Sequence, residues 1–194
     1  MDYLRLPVGN YQANCCLVFD NQNTAVVIDP GEEAARILRN IEENKLSVKA
    51  ILLTHAHFDH IGAVKQVQKA TNAPLWVHEA EVPALTDRQF NMMPIPYSLS
   101  ADRELHDGEQ VTVGDLVFTV LHTPGHTAGS VCFLCEDTLF SGDTLFACGV
   151  GRTDFPGGDT RALWNSLKAL SQLPPHTRVV AGHGEETTIG AEFR

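Results

Sequence analysis

Four side chains that can bind a divalent metal ion fall within six residues, in the run His55-Ala-His57-Phe-Asp59-His60. Histidine and carboxylate are ligands of zinc and similar ions, and a chance match to this pattern has odds of about one in a thousand. The apolar segment 48–53 before the run predicts a strand, and the residues from 61 onward predict a helix. The run therefore predicts a metal site at a strand–helix junction. The alternative is a polar helix cap with solvated histidines.

The geometry of the run suits two ions. In an extended loop, His55 and His57 point to the same side, and the turn into the helix lets Asp59 and His60 face a second centre. Two ions that share a water need about seven protein ligands. About three more ligands must therefore come from other parts of the chain.

Three further residues qualify as ligands, because each follows an apolar segment that predicts a strand. They are His126, Asp143 and His183, which come after the segments 116–121, 138–140 and 177–181. Glycine neighbours each of the three, and this lets the backbone approach a crowded ion closely. Each alone would more often be a turn residue, but together with the run they form a ligand set.

The other periodic segments predict an α/β protein with one domain over residues 1–194. Alternating or continuous apolar residues predict further strands, and apolar residues spaced three or four apart predict helices. Strands are expected at 13–19 and 24–29 (as a hairpin), 74–78, 111–113 and 130–135, and helices at 34–41, 61–70 and 160–173. The segment 87–99 has two prolines and several large apolar residues, which favours an irregular, mobile flap. This order allows helices to cover the outer faces of two packed sheets.

Composition excludes several classes of protein. The formal charge is −10 and no basic patch is present, so a nucleic-acid partner is not expected. No stretch approaches the roughly 20 apolar residues of a membrane span, and the N-terminus has no charged start followed by an apolar run. The five cysteines are expected to be reduced thiols, and a cytoplasmic location is expected.

Four motifs in this order, THAHFDHIG, TPGHT, SGDTLF and GHG, resemble the metallo-β-lactamase superfamily over nearly the whole chain. The resemblance implies an αββα sandwich, with two mixed sheets flanked by helices. It also implies two divalent metal ions, with zinc expected and iron or manganese as alternatives. The implied ligands are His55, His57 and His126 for one ion and Asp59, His60 and His183 for the other, with Asp143 as the bridge.

Within that family, SGDTLFACGVGR at 141–152 and GHGEETT at 182–188 resemble hydroxyacylglutathione hydrolase, or glyoxalase II, and especially its small single-domain relatives. The resemblance implies hydrolysis of a small thioester such as S-lactoylglutathione. A metal-bound hydroxide would attack the carbonyl, and Asp59 would orient the hydroxide or take its proton. The two-domain enzymes bind glutathione partly through a C-terminal helical domain, which this chain is expected to lack.

Arg152 stands where the family places a basic residue near the glutathione carboxylate, so it is a candidate substrate-binding residue. The alternative is a structural ion pair with Asp154 or Asp159. Asp154 and Glu185 also occupy positions where tyrosines would assist in the family.

Other activities of the family stay open. Persulfide dioxygenases, which resemble mononuclear iron enzymes, share the first histidine motif, TPGHT and the GRTDF of 151–155, but the GHGEETT segment favours the hydrolase. Lactonases and β-lactamases are alternatives on fold alone. A non-catalytic metal-binding protein is disfavoured, because a ligand set with an open water position is typical of catalytic sites.

Several remaining residues have structural interpretations. Asp29, at the end of a predicted strand, is expected to orient one of the ligand histidines. Cys132 and Cys135 are three apart in a strand and face opposite sides, so they are expected to be core thiols. Four other histidines are expected to be structural or solvated, namely His78, His106, His122 and His176.

Overall fold

The structure is a computed structural model and describes residues 1–193. Its first sheet has six strands in the order of the chain, from β1 at one edge to β6 at the other. The strands are β1 (Asp2–Val8), β2 (Ala13–Phe19), β3 (Thr24–Ile28), β4 (Ser47–Leu52), β5 (Leu75–His78) and β6 (Arg103–Leu105). The first three are antiparallel, and β3 to β6 are parallel. The sheet is therefore mixed, and β2 and β3 form the expected hairpin.

The second sheet also has six strands, in the order β14-β13-β10-β9-β8-β7. They are β7 (Gln110–Val113), β8 (Leu116–His122), β9 (Val131–Cys135), β10 (Thr138–Gly142), β13 (Arg178–Ala181) and β14 (Thr187–Thr188). Only β10 and β13 pair in parallel. Between β10 and β13 in sequence lies a separate two-stranded ribbon, formed by β11 (Leu145–Phe146) and β12 (Gly149–Val150).

The two sheets pack face to face around an apolar layer. Phe118, Phe133 and Phe140 of the second sheet are fully buried there against Val26 and Leu52 of the first. Burying each such side chain is worth about 1.5–3 kcal/mol, so this layer is a main source of stability.

Helices cover both outer faces, which confirms the αββα sandwich. Helices α1 and α3 pack on the first sheet, and α5 packs on the second. The helices are α1 (Ala34–Glu43), α2 (Phe58–Ile61), α3 (Val64–Thr71), α4 (Arg88–Asn91), α5 (Thr160–Leu170) and α6 (Ile189–Glu192), with a 3-10 helix at Glu79–Leu85. None of the helices within residues 1–193 is long and apolar enough to cross a membrane.

Several boundaries and elements differ from the sequence prediction. Helix α5 ends at Leu170 rather than at 173, because Pro174 and Pro175 have no N–H to bond to the carbonyls of Leu170 and Ser171. The helical turn α2 already begins at Phe58, three residues before the predicted start. Strand β1 was not predicted, and it contains Pro7, which a strand accommodates at the edge of a sheet.

Residues 92–99 have no regular secondary structure, as predicted for the segment 87–99, and the mobility of the segment stays a prediction. The segment begins with the helical turn α4, and the side-chain amide of the buried Asn91 donates to the carbonyl of Ala84 at 2.7 Å. Further along, the hydroxyl of Tyr97 donates to the carbonyl of Ile61 at 3.0 Å. The segment is therefore anchored at both ends.

The two cysteines of β9 face opposite sides, as expected. Cys132 belongs to the cluster beneath α5, whereas Cys135 belongs to the layer between the sheets. Both are free, buried thiols. They cannot bind one ion together.

Candidate metal centre

The seven predicted ligands come together at one end of the sandwich. Strands β8, β10 and β13 run in the same direction, so their carboxyl ends meet at one edge of the second sheet. His126, Asp143 and His183 follow these ends, and the run 55–60 follows the end of β4 in the first sheet. The convergence is thus a consequence of strand direction.

A first group contains His55, His57 and His126, whose potential ligand atoms all lie within 4.8 Å of one another. The Nδ1 atom of His57 is 2.9 Å from Nε2 of His126. The Nε2 atoms of His55 and His57 are buried and have no hydrogen-bond partner. Buried polar atoms without a partner are costly, so this group has the character of a site built for a ligand.

A second group contains Asp59, His60 and His183, again with potential ligand atoms within 4.8 Å of one another. The Nε2 atoms of His60 and His183 are 3.3 Å apart, and Oδ2 of Asp59 is 3.4 Å from Nε2 of His183. All three side chains project from chain segments that directly follow a strand or open a helix. This is the same division of ligands that the family resemblance implies.

Asp143 lies between the two groups. Its Oδ2 atom is 3.5 Å from Nε2 of His126 and 3.6 Å from Nε2 of His183, and its Oδ1 atom is 3.4 Å from Nε2 of His60. Oδ1 is buried and accepts no hydrogen bond. Gly182 is required beside it, because a Cβ atom there would overlap Asp143 Oδ1. The position suits a carboxylate that bridges two ions, and this role stays a prediction.

Three histidines are oriented from outside the centre. The Nδ1 atom of His60 contacts Asp29 Oδ2 at 3.0 Å, as expected for Asp29, and Nδ1 of His126 contacts the carbonyl of Arg152 at 2.8 Å. For His183, Nδ1 lies 3.0 Å from a carbonyl oxygen, that of Tyr11. An Nδ1–H that donates outward leaves the Nε2 lone pair directed at the centre, which is how metal-binding histidines are held.

The first group favours neutral imidazoles. Burial lowers the pKa of His55 well below its ordinary value and, together with the charge of His126, lowers the pKa of His57 to about 3. Burial also lowers the pKa of His126. A neutral imidazole is the form that binds a metal ion.

The second group lies in a more negative environment. Burial alone would lower the pKa of His60, but the charge of Asp143 and the hydrogen bond that His60 donates to Asp29 outweigh it and raise the pKa to about 9. Burial likewise opposes ionisation of Asp59, yet His183 and His60 lower its pKa to about 2. Carboxylates that attract protons in this way also attract cations.

The residues present fit divalent ions. The two groups offer imidazole nitrogens and carboxylate oxygens, which suit zinc, iron and manganese, and an ion would satisfy the unpartnered Nε2 of His55 and Oδ1 of Asp143.

The centre forms the floor of an open pocket of about 550 Å³. Apolar and aromatic side chains make up most of its walls, namely Tyr11, Phe58, Met92, Phe146, Val150 and Phe155. Sequence reasoning missed most of these, because scattered apolar residues in loops carry no periodic signal.

Arg152 also lines this pocket, but its guanidinium is already paired. Nε and an Nη atom donate to the two carboxylate oxygens of Asp154 at 2.7 and 2.6 Å, and the group lies 3.9 Å above the ring of Phe155. The predicted alternative of an ion pair is therefore confirmed for Asp154, while Asp159 instead caps α5. A role of Arg152 in substrate binding stays a prediction. Glu185 pairs with Arg5 at 2.9 Å.

The four remaining histidines lie outside both groups. His78 and His122 stack on each other with ring centroids 4.1 Å apart, His106 pairs with Glu79 at 3.1 Å, and His176 is exposed. The expectation that they are structural or solvated is confirmed.

The αββα fold and the two groups of potential ligands are typical of the metallo-hydrolase superfamily. A family model of the metallo-β-lactamase superfamily matches residues 8–183, and the chain belongs to this superfamily. Members of the superfamily bind one or two metal ions, and the two groups fit such a site.

Among its relatives, hydroxyacylglutathione hydrolase GloC of Haemophilus influenzae is 37% identical over 198 residues, which cover 97% of this chain and 93% of GloC. Among solved structures, BLEG-1 B3 metallo-β-lactamase matches with a TM-score of 0.92 and 39% identity, over 98% of this chain and 95% of that one. TTHA1623 in a di-iron-bound form matches with a TM-score of 0.89 and 41% identity, over 98% of this chain and 97% of that one.

Proposed function

We propose that this protein hydrolyses thioesters at a centre of two divalent metal ions, with S-lactoylglutathione as the substrate to test first. One observation carries the proposal: two three-residue groups of ligands flank Asp143 on the floor of an open pocket. Zinc is the expected metal, with iron or manganese as alternatives.

Bound divalent ions would supply a water of lowered pKa, near 7, and would polarise the carbonyl that is attacked. The protein residues provide position and charge. Asp59 is ionised at neutral pH and faces the pocket, so its carboxylate orients the attacking water and accepts a proton at Oδ2. The outward hydrogen bonds of the histidines keep the centre rigid while the substrate changes charge.

The pocket suits a thioester. Its aromatic and apolar walls can pack against the acyl group and sulfur, and a thiolate leaves without needing a proton from the protein. The name of GloC supports a glutathione-linked substrate, and Arg152 at the rim is the cation suited to a carboxylate of the thiol part.

A second candidate is β-lactam hydrolysis, which the similarity to BLEG-1 favours. Both reactions attack an acyl carbonyl and need the same centre, so only the substrate separates them.

The proposal is tested by metal analysis together with parallel assays. The purified protein is expected to hold two ions per chain and to release thiol from S-lactoylglutathione. Activity should vanish when a chelator removes the ions and return when zinc is added back. One iron per chain with oxygen consumption on glutathione persulfide would overturn the proposal, as would cleavage of a chromogenic β-lactam without thiol release.

A further inference from the structure

Glu81 is a buried glutamate in the first turn of the 3-10 helix Glu79–Leu85, and only 2% of it is exposed. Its Oε1 atom accepts the backbone N–H of Ala56 at 2.9 Å. Its Oε2 atom accepts the hydroxyl of Thr127 at 2.8 Å and the N–H of Gly129 at 2.9 Å. One carboxylate thus holds two separate loops.

Both loops carry residues of the first ligand group. Ala56 lies between His55 and His57, and Thr127 directly follows His126. Ala56 and Thr127 are thus direct neighbours in sequence of histidines of that group, and Gly129 follows His126 by three residues. Asp59 and His60 of the second group follow Ala56 by three and four residues, but this group has anchors of its own, since Nδ1 of His60 contacts Asp29 and Nδ1 of His183 contacts the Tyr11 carbonyl.

The chain is shaped for this contact. Gly129 packs so closely on the glutamate that a Cβ atom there would overlap the backbone nitrogen of Glu81. The hydroxyl of Ser130 lies 2.7 Å from that of Thr127 and also accepts its backbone N–H at 3.0 Å, which fixes the hydroxyl toward Glu81.

Burying a carboxylate is costly unless hydrogen bonds compensate. Burial raises the pKa of Glu81, and its hydrogen bonds to Ala56, Thr127 and Gly129 oppose this. The charge of His122 lowers the pKa less than any of these bonds does. Hydrogen bonds to the two loops, rather than an ion pair, thus offset part of the cost of burial.

We propose that Glu81 is a positioning residue that fixes the loop of His55 and His57 against the loop of His126, so that the three imidazoles converge on one ion. The inference rests on the proposed two-metal centre. Glu81 would place the first ligand group, whereas Asp29 and the Tyr11 carbonyl orient His60 and His183 of the second.

The test uses Glu81→Gln in the full chain. Glutamine has the same size, but its NH₂ group must face one set of N–H or O–H donors, so one loop loses its acceptor. Metal-free protein is titrated with Co²⁺ or Zn²⁺ alone against a competing chelator. The affinity for one of the two bound ions is expected to fall about 10- to 100-fold, with a changed visible spectrum for Co²⁺. The affinity for the other ion should stay within about twofold of the wild-type value.

Glu79→Gln is the matched control, because Glu79 lies on the same 3-10 helix, is exposed and pairs with His106. It should leave both affinities unchanged. If Glu81→Gln does not fold, Thr127→Val and Thr127→Ser decide, since only serine keeps the hydroxyl. Thr127→Val is expected to lower the affinity for one of the two ions, and Thr127→Ser is expected to lower neither affinity.

The inference and the proposed function fail differently. A wild-type protein that binds no metal overturns the two-metal centre itself. Two ions bound by the wild type, with both affinities in Glu81→Gln unchanged or equally reduced, overturn only the role of Glu81.

Discussion

The Nδ1 atom of His60 lies 3.0 Å from Oδ2 of Asp29, and both side chains are buried. Asp29 also accepts the backbone N–H of Thr54 at 2.8 Å and its hydroxyl at 2.5 Å. The carboxylate is therefore locked in place, and it requires His60 to carry its proton on Nδ1. The Nε2 atom then presents a lone pair to the second ligand group.

Asp29→Asn should weaken metal binding by the second ligand group. An amide NH₂ facing His60 would stabilise the opposite tautomer, with the proton on Nε2, and lower metal affinity about 10- to 100-fold. Chelator competition with Zn²⁺ measures this. Asp20→Asn is the control, because Asp20 is also buried and accepts backbone N–H groups at a distant turn. Equal losses in both variants would contradict the prediction.

Asp143→Ala should lose metal and activity together. Both carboxylate oxygens lie 3.4–3.6 Å from histidines of the two groups, so its removal takes a ligand from each ion. The fall in affinity should exceed the roughly 10- to 100-fold cost of losing an outer partner. Metal content and thiol release are measured on the same sample, and full metal content with normal activity would refute the bridging role.

Arg152→Ala should raise KM for S-lactoylglutathione with little change in kcat. Asp154→Asn should instead lower KM by about two- to fivefold. The pair is exposed and therefore weak, so removing the charge of Asp154 frees the guanidinium for an anionic substrate. Steady-state kinetics checks both. An unchanged KM in both variants would exclude Arg152 from substrate binding.

The Arg152–Asp154 pair should also appear in the pH titration of Asp154. The hydrogen bond from Arg152 lowers the pKa of this carboxyl from 3.8 to about 2. Because the folded pKa is depressed, the contribution of the pair to stability is fully present above about pH 3.8 and is lost as the pH falls through about 2. Carbon-detected NMR should find this midpoint, and Arg152→Ala should return it toward 3.8.

Removing the ions should lower the melting temperature. An ion present at 100 times its Kd stabilises the fold by about 2.7 kcal/mol, which corresponds to roughly 5–11 °C for a chain of this size. Calorimetry with and without chelator measures the shift, and restoring zinc should reverse it. A melting temperature independent of metal would contradict the two-metal centre.

The sequence located the site better than its surroundings. His126 and His183 were recognisable because each follows an apolar strand and borders a glycine, and strand direction then brings them together. The carbonyls of Tyr11 and Arg152, which orient them, were invisible, since any residue type supplies a backbone oxygen. Glu81 carried no signal for a similar reason, because its partners are mostly backbone groups far away in sequence.

Some elements of the fold could likewise be predicted from the sequence, whereas others could not. Helix α1 was predictable because Ile37 and Ile41 repeat on one buried face. Strands β11 and β12, with two residues each, are too short for any periodicity to appear. The anchoring of segment 87–99 depends on Asn91 and Tyr97 reaching residues outside it, which only the tertiary structure reveals.

The ligand groups draw on both sheets, from His55 near the first third of the chain to His183 near its end. Such a centre is assembled from contacts of long sequence separation, which form late when a chain folds. Neither ion has its full set of partners until the sheets have docked. Tight metal uptake would then report the completion of folding, and during refolding it should follow the burial of Phe118 and Phe133 rather than precede it.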